Sequence, residues 1–142
     1  MAIGFYGWVL STLISPALAG DTPLSVDVSG ARSDQGVIAC QLFSAETGFP
    51  NDTTHAIARD VRPVKGGTAT CTFPDVPAGQ VAVAVLHDEN GNLTLDSAWY
   101  GAPIEGYGFS NGAAGHVFSP ARFDEAAIEV SAPGTIHVAL AY

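Results

Sequence analysis

Residues 80–86 read Gln80-Val81-Ala82-Val83-Ala84-Val85-Leu86, and this stretch decides the fold class. Val81, Val83 and Val85 alternate with the small Ala82 and Ala84, the period of two that an extended strand requires. Apolar residues on both faces mark a central strand covered on each side. Pro74-Asp75-Val76-Pro77-Ala78-Gly79 precedes it as a turn, and Asp88-Glu89-Asn90-Gly91 follows it as another.

Outward from there the same grammar repeats. Leu24–Val28 (LSVDV) alternates apolar and polar residues, and Gly36–Phe43 (GVIACQLF) is rich in β-formers. Arg59–Val64 reads as an edge strand because Pro63 cannot donate to a ladder. Thr68–Phe73 (TATCTF) follows Gly66-Gly67, a hairpin turn. Ala126–Val130 and Thr135–Ala141 close the chain and are expected to pair with each other around Pro133-Gly134. Residues 101–115, crowded with glycine, read as a long loop. Sustained helical periodicity is missing; 52–59 and 122–127 each allow one helical turn. About seven short strands with turns between them point to one antiparallel β-sandwich.

Composition agrees and excludes several classes. At 142 residues there is room for one domain. Fourteen acidic side chains against five basic ones give a charge of −9, which argues against nucleic acid and against docking to anionic lipid. The only Met is the first residue, so a Met-rich copper site is excluded.

Residues 3–19 (IGFYGWVLSTLISPALA) carry no charge and end in the small-x-small triplet Ala17-Leu18-Ala19. That is the form of a secretory signal peptide cleaved near Ala19 or Gly20, although no Lys or Arg precedes the apolar run. Residues 1–20 are therefore assigned to the signal and 21–142 to the sandwich, in the periplasm or secreted. The alternative is an uncleaved anchor at the short end of membrane-spanning length. Only in that case does a membrane enter as a partner. Cys40 and Cys71, the only cysteines, form a disulfide in an oxidising compartment or remain two buried thiols. A bridge between them stabilises by roughly 3–4 kcal/mol in the chain-entropy picture.

Chemistry-bearing residues are few. Asp88, Asn90, Asn92 and Asp96 place oxygens at loop positions 1, 3, 5 and 9, with the Thr94 carbonyl at 7, as a calcium loop does. Leu93 stands where such a loop has Gly and Trp99 where it has Glu, so a polar turn at Asn90-Gly91 is the competing reading. Gly108-Phe109-Ser110-Asn111-Gly112 spells G-x-S-x-G, with Asp124 or Glu125 and then His137 following in hydrolase order. No parallel α/β framework surrounds it, which leaves a serine hydrolase as a remote alternative. His55, His87, His116 and His137 lack metal-ligand spacing; His87, beside Asp88, reads as a strand-end histidine satisfied by backbone. Asn51-Asp52-Thr53 and Asn92-Leu93-Thr94 match glycosylation acceptors, relevant only in a eukaryotic source. Glu105, Tyr107, Phe109, Ser110 and Asn111 gather aromatic and polar groups among glycines: exposed, they make a candidate binding loop beside the 88–96 turn, and packing over the open end of the sandwich is the plainer reading.

Several segments together carry a resemblance. FPDVPAGQVAVAVLHDENGN (73–92), Leu95-Asp96, EGYGFSN (105–111) and the stretch from Phe118 through PARFDEAAIEV resemble the DUF2141 family of exported bacterial proteins. Phe73, Asp75, Pro77 and Gly79 are similar in style to the strand–turn–strand of carboxypeptidase regulatory-like domains. The resemblance implies an immunoglobulin- or transthyretin-type sandwich and an exported location, and it brings no activity and no catalytic residues. Family members usually carry Gly where this chain has Leu93, which weighs against calcium. The expectation is a non-enzymatic binding or accessory module without a firm cofactor, acting on an envelope protein or small ligand. The alternative is an accessory subunit held to a membrane complex by residues 3–19.

Overall fold

The computed structural model describes residues 22–91, 105–116 and 119–142. The signal-or-anchor segment 3–19 and loop residues Asn92, Thr94 and Asp96 lie outside them. The described residues form strands β1 (Thr22–Ser29), β2 (Val37–Phe43), β3 (Ala58–Pro63), β4 (Ala69–Val76), β5 (Gly79–Asp88), β6 (Gly106–Phe109), β7 (Ile128–Val130) and β8 (Gly134–Ala139). One short helix, α1 (Phe123–Ala126), and single 3-10 turns at Thr53–His55 and Ser110–Gly112 complete them. The two sites read as helical turns are indeed single turns.

Two sheets face each other. One has the order β4-β1-β8, the other β3-β2-β5-β6, with β7 paired to β5. The alternation in β5 divides its side chains as expected. Val81, Val83 and Val85 enter the core between the sheets, with Leu24, Val26 and Val28 of β1, Ile38, Cys40 and Leu42 of β2, and Cys71 and Phe73 of β4. Ala82 and Ala84 turn to the other face, under a second cluster containing Phe49, Phe109, Ala121, Phe123 and Ala126. The small alanines leave room for those rings. Cys40 and Cys71, both fully buried, lie at disulfide distance with Cα atoms 6.4 Å apart, so the staple links the two sheets.

Both margins of the sandwich are closed. On one, the Asp60 carboxylate of β3 accepts the Thr72 N–H of β4 at 2.8 Å and Arg62 Nε at 2.8 Å. That contact caps two sheet edges that would otherwise expose unpaired backbone. On the other, Tyr107 and Ala141 exchange backbone hydrogen bonds of 3.0 and 2.8 Å. This approach is close enough that a Cβ on Gly108 would stand 2.6 Å from Val138 Cγ1.

Four expectations change. Gly66 and Gly67 do form a tight turn, at φ of 60° and 73°, but β3 and β4 then diverge into different sheets. The sandwich is not wholly antiparallel, because β8 runs parallel to β1, with Val26 opposite Ile136. The closing strands do not pair with each other: β7 pairs with Gly79–Val81 of β5, on the edge whose Ala84–His87 half belongs to β6. The open edge of β1, whose Val26 and Val28 are core residues, draws β8 instead. Lastly, residues 106–109 are a strand, not part of a loop. Their glycines permit close approach of the C-terminal segment rather than supplying freedom.

Candidate functional site

The end of the sandwich where β5 finishes is a network of polar residues. His87 is fully buried, and its Nε2 lies 2.8 Å from the Gln35 carbonyl. A carbonyl only accepts, so Nε2 carries the proton, and Nδ1 accepts from the Tyr142 hydroxyl at 2.6 Å. His87 is thus satisfied in part by backbone, as expected. The Arg32 guanidinium lies 4.7 Å from the centre of the Tyr142 ring and donates to Glu89 through Nε at 2.9 Å. That bond from Arg32, with a smaller one from Ser33, holds the Glu89 carboxyl below the usual carboxylate range. Asp34 accepts from the N–H groups of Gly66 and Gly67 at 3.0 and 2.9 Å, and these backbone bonds lower its pKa.

Asp88, first residue of the proposed calcium loop, belongs to β5 and is buried opposite Val37; Asn90 is in the turn beyond it. Glu105 is buried at the same end, and one of its carboxylate oxygens takes the Glu89 N–H at 2.9 Å. Among the described residues, no group of three or more His, Cys, Asp or Glu side chains is placed to hold a metal ion.

Of the two readings of Glu105 to Asn111, a binding surface of exposed aromatics or packing against the sandwich, the burial agrees with packing. Glu105, Phe109 and Ser110 are buried, Tyr107 is half-buried, and of these five only Asn111 is exposed. The cause is pairing: Tyr107 sits opposite Leu86 and Phe109 opposite Ala84 in the sheet. Ser110 and Asn111 consequently lie toward the opposite end from Asp88.

Ser110 fills a gap in a ladder. Between the stretch of β5 paired to β7 and the stretch paired to β6, the Val83 N–H would be left without a strand partner. Ser110 Oγ accepts it at 2.9 Å and donates to the Ala126 carbonyl. His137 is 79% exposed and faces Asp27 at 3.8 Å, while Glu125 binds His116. The structure therefore does not assemble Ser110 with His137 and an acid, and the G-x-S-x-G match serves the sheet.

An open groove of about 740 Å³ lies at the Ser110 end. Its lining includes Glu46 and Phe49 from the β2–β3 connection and His116, Ser119, Arg122, Phe123 and Asp124 from the segment after β6. Phe49 is anchored by ring contacts with Phe43, Phe109 and Phe123, at centroid distances of 5.2, 6.0 and 5.9 Å. In the same lining, His116 and Ser119 exchange backbone hydrogen bonds of 2.7 and 3.2 Å. His116 Nε2 is 2.8 Å from Glu125 Oε1, which also accepts the Arg122 N–H at 3.1 Å. Those bonds, His116 first, lower the Glu125 pKa. Arg122 Nε pairs with Asp124 at 3.2 Å. The groove was not legible in the sequence, since Glu46 and Asp124 are far apart in the chain and Asp124-Glu125 reads as a solvated turn. Phe49 beside Pro50 was the one available cue, a large apolar residue in loop chemistry.

No curated protein and no solved structure matches the chain. Residues 26–137 match the family described as an uncharacterized protein conserved in bacteria, DUF2141. That span runs from Val26 within β1 to His137 within β8, and includes the cysteine pair. The chain belongs to the DUF2141 family.

Proposed function

We propose that the chain is an exported, non-catalytic sandwich module that binds its ligand in the groove between the β2–β3 connection and the segment before α1. The observation that carries this is the pair of half-buried rings, Phe49 and Phe123, held in a groove of about 740 Å³. That volume is within the usual range for small-molecule sites, which combine apolar walls with a few polar groups. Support for export comes from the buried Cys40–Cys71 pair and from the uncharged run 3–19. Among the described residues no helix is long and apolar enough to cross a membrane. Titration with phenol, a neutral aromatic probe, tests the site. Amide shifts centred on Phe49, His116 and Phe123 are expected; shifts elsewhere only would contradict it.

Calcium at residues 88–96 is a second reading, favoured by one observation. Asp88, the first residue of that segment, and Glu105 place two carboxyl groups at the same end of the sandwich, and hard cations are held by converging carboxylate oxygens. Millimolar calcium should then raise the melting midpoint, and an unchanged midpoint would remove this reading.

A further inference from the structure

We propose that the groove selects a small organic cation: an ammonium group carried on an apolar or aromatic body. The inference rests on the groove being the binding surface and adds the charge of what enters it. Phe49 and Phe123 stand 5.9 Å apart with ring planes at 84°, each partly accessible. Ring faces carry negative quadrupole density and attract cations within about 6 Å of their centres.

Charge in the lining points the same way. The Arg122 guanidinium is paired to Asp124, with Glu125 3.4 Å away, and the His116 ring is bonded to Glu125. The Arg122 charge is therefore already balanced by its neighbours, and the His116 ring is engaged by Glu125. Glu46 lines the same groove and its carboxylate makes no hydrogen bond or ion pair among the described residues. What the lining leaves uncompensated is negative. The chain as a whole, at −9, adds an attractive field for cations.

Other ligand classes fit less well. An anion would meet the uncompensated Glu46 carboxylate. A neutral hydrocarbon would strip water from Glu46 with nothing in return. An ammonium group beside Glu46, with its body against the rings, satisfies both features together.

The test uses the full chain with its disulfide formed, followed by amide shifts and calorimetry. Three aromatic probes of different charge are compared: benzyltrimethylammonium, phenol and phenylacetate. The expected order is benzyltrimethylammonium tightest, with phenylacetate weaker by about tenfold or more. Glu46→Gln, at an exposed position, should weaken the ammonium probe about threefold to fivefold and leave phenol unchanged. Equal affinity for phenol and the ammonium probe overturns the cation assignment while the groove stands, as does indifference to Glu46→Gln. Absence of groove shifts with all three probes overturns the groove as well.

Discussion

The hydroxyl of Tyr142 lies 2.6 Å from Nδ1 of His87 and gives this buried ring its hydrogen-bond partner on the side away from Gln35. The same oxygen accepts the Arg32 N–H at 3.0 Å. One side chain near the end of β8 thereby ties together the β1–β2 connection and the end of β5. Gly106 belongs to this arrangement, because a Cβ there would stand 2.5 Å from Tyr142 Cζ.

Tyr142→Phe keeps the ring beneath Arg32 and removes the hydroxyl. It should destabilise the fold by about 1–3 kcal/mol, the cost of leaving a buried polar group unpaired. Urea unfolding measures this, and an unchanged midpoint would mean that the hydroxyl contributes nothing to stability.

Asp34 makes stability depend on acid. Bonds from Gly67 and Gly66 lower its pKa in the folded chain, so the folded state binds its proton less readily than the unfolded chain does. The resulting stabilisation is present above the unfolded value of about 3.9 and is lost as the pH falls through the lower folded value. Asp34→Asn should therefore melt below the parent chain at neutral pH. The gap between the two melting curves should shrink as the pH falls below the unfolded value of about 3.9 and close once it has passed the lower folded value. A constant gap across that range would remove the linkage.

Gly108→Ala should be costly where Gly134→Ala is tolerated. At Gly108 a Cβ meets Val138 Cγ1 at 2.6 Å and the Ala139 carbonyl oxygen at 2.9 Å, whereas at Gly134 the nearest atom is 3.9 Å away. Overpacking of that kind costs about 1–3 kcal/mol. Chemical denaturation of the two variants provides the comparison, and equal midpoints would contradict the close approach of β6 to β8.

Ser110→Ala should lower stability and change no labelling. It removes a bond accepted from Val83 N–H and one donated to the Ala126 carbonyl, both buried. About 2–4 kcal/mol is expected for leaving both partners unmatched. A fluorophosphonate should not label the parent chain, since the hydroxyl is buried and His137 is turned to solvent. Labelling that Ser110→Ala abolishes would restore the hydrolase alternative.

The strands legible in the sequence were those whose neighbours did not matter. Val81, Val83 and Val85 show their period regardless of what packs on them, and Cys40 and Cys71 fall inside strands as read. Residues 106–109 were hidden because Gly106 and Gly108 signal a loop to any local reading. Their reason lies in Tyr142 and Val138, some thirty residues further on. The pairing of β8 with β1 is likewise set by an open edge of core strand, which nothing local encodes. The groove joins Glu46 to Asp124 across the molecule, so it emerges only when Phe49 and Phe123 are seen to meet.

Intact mass of the native protein from the envelope fraction, taken with and without alkylation under non-reducing conditions, tests most directly that this is an exported, disulfide-stapled module. The account predicts a chain beginning at Gly20 or Asp21, with Cys40 and Cys71 closed to alkylation. A chain that keeps residues 3–19 and alkylates at both cysteines would contradict it. Retention of 3–19 with the cysteines still closed would instead select the membrane-anchored accessory subunit.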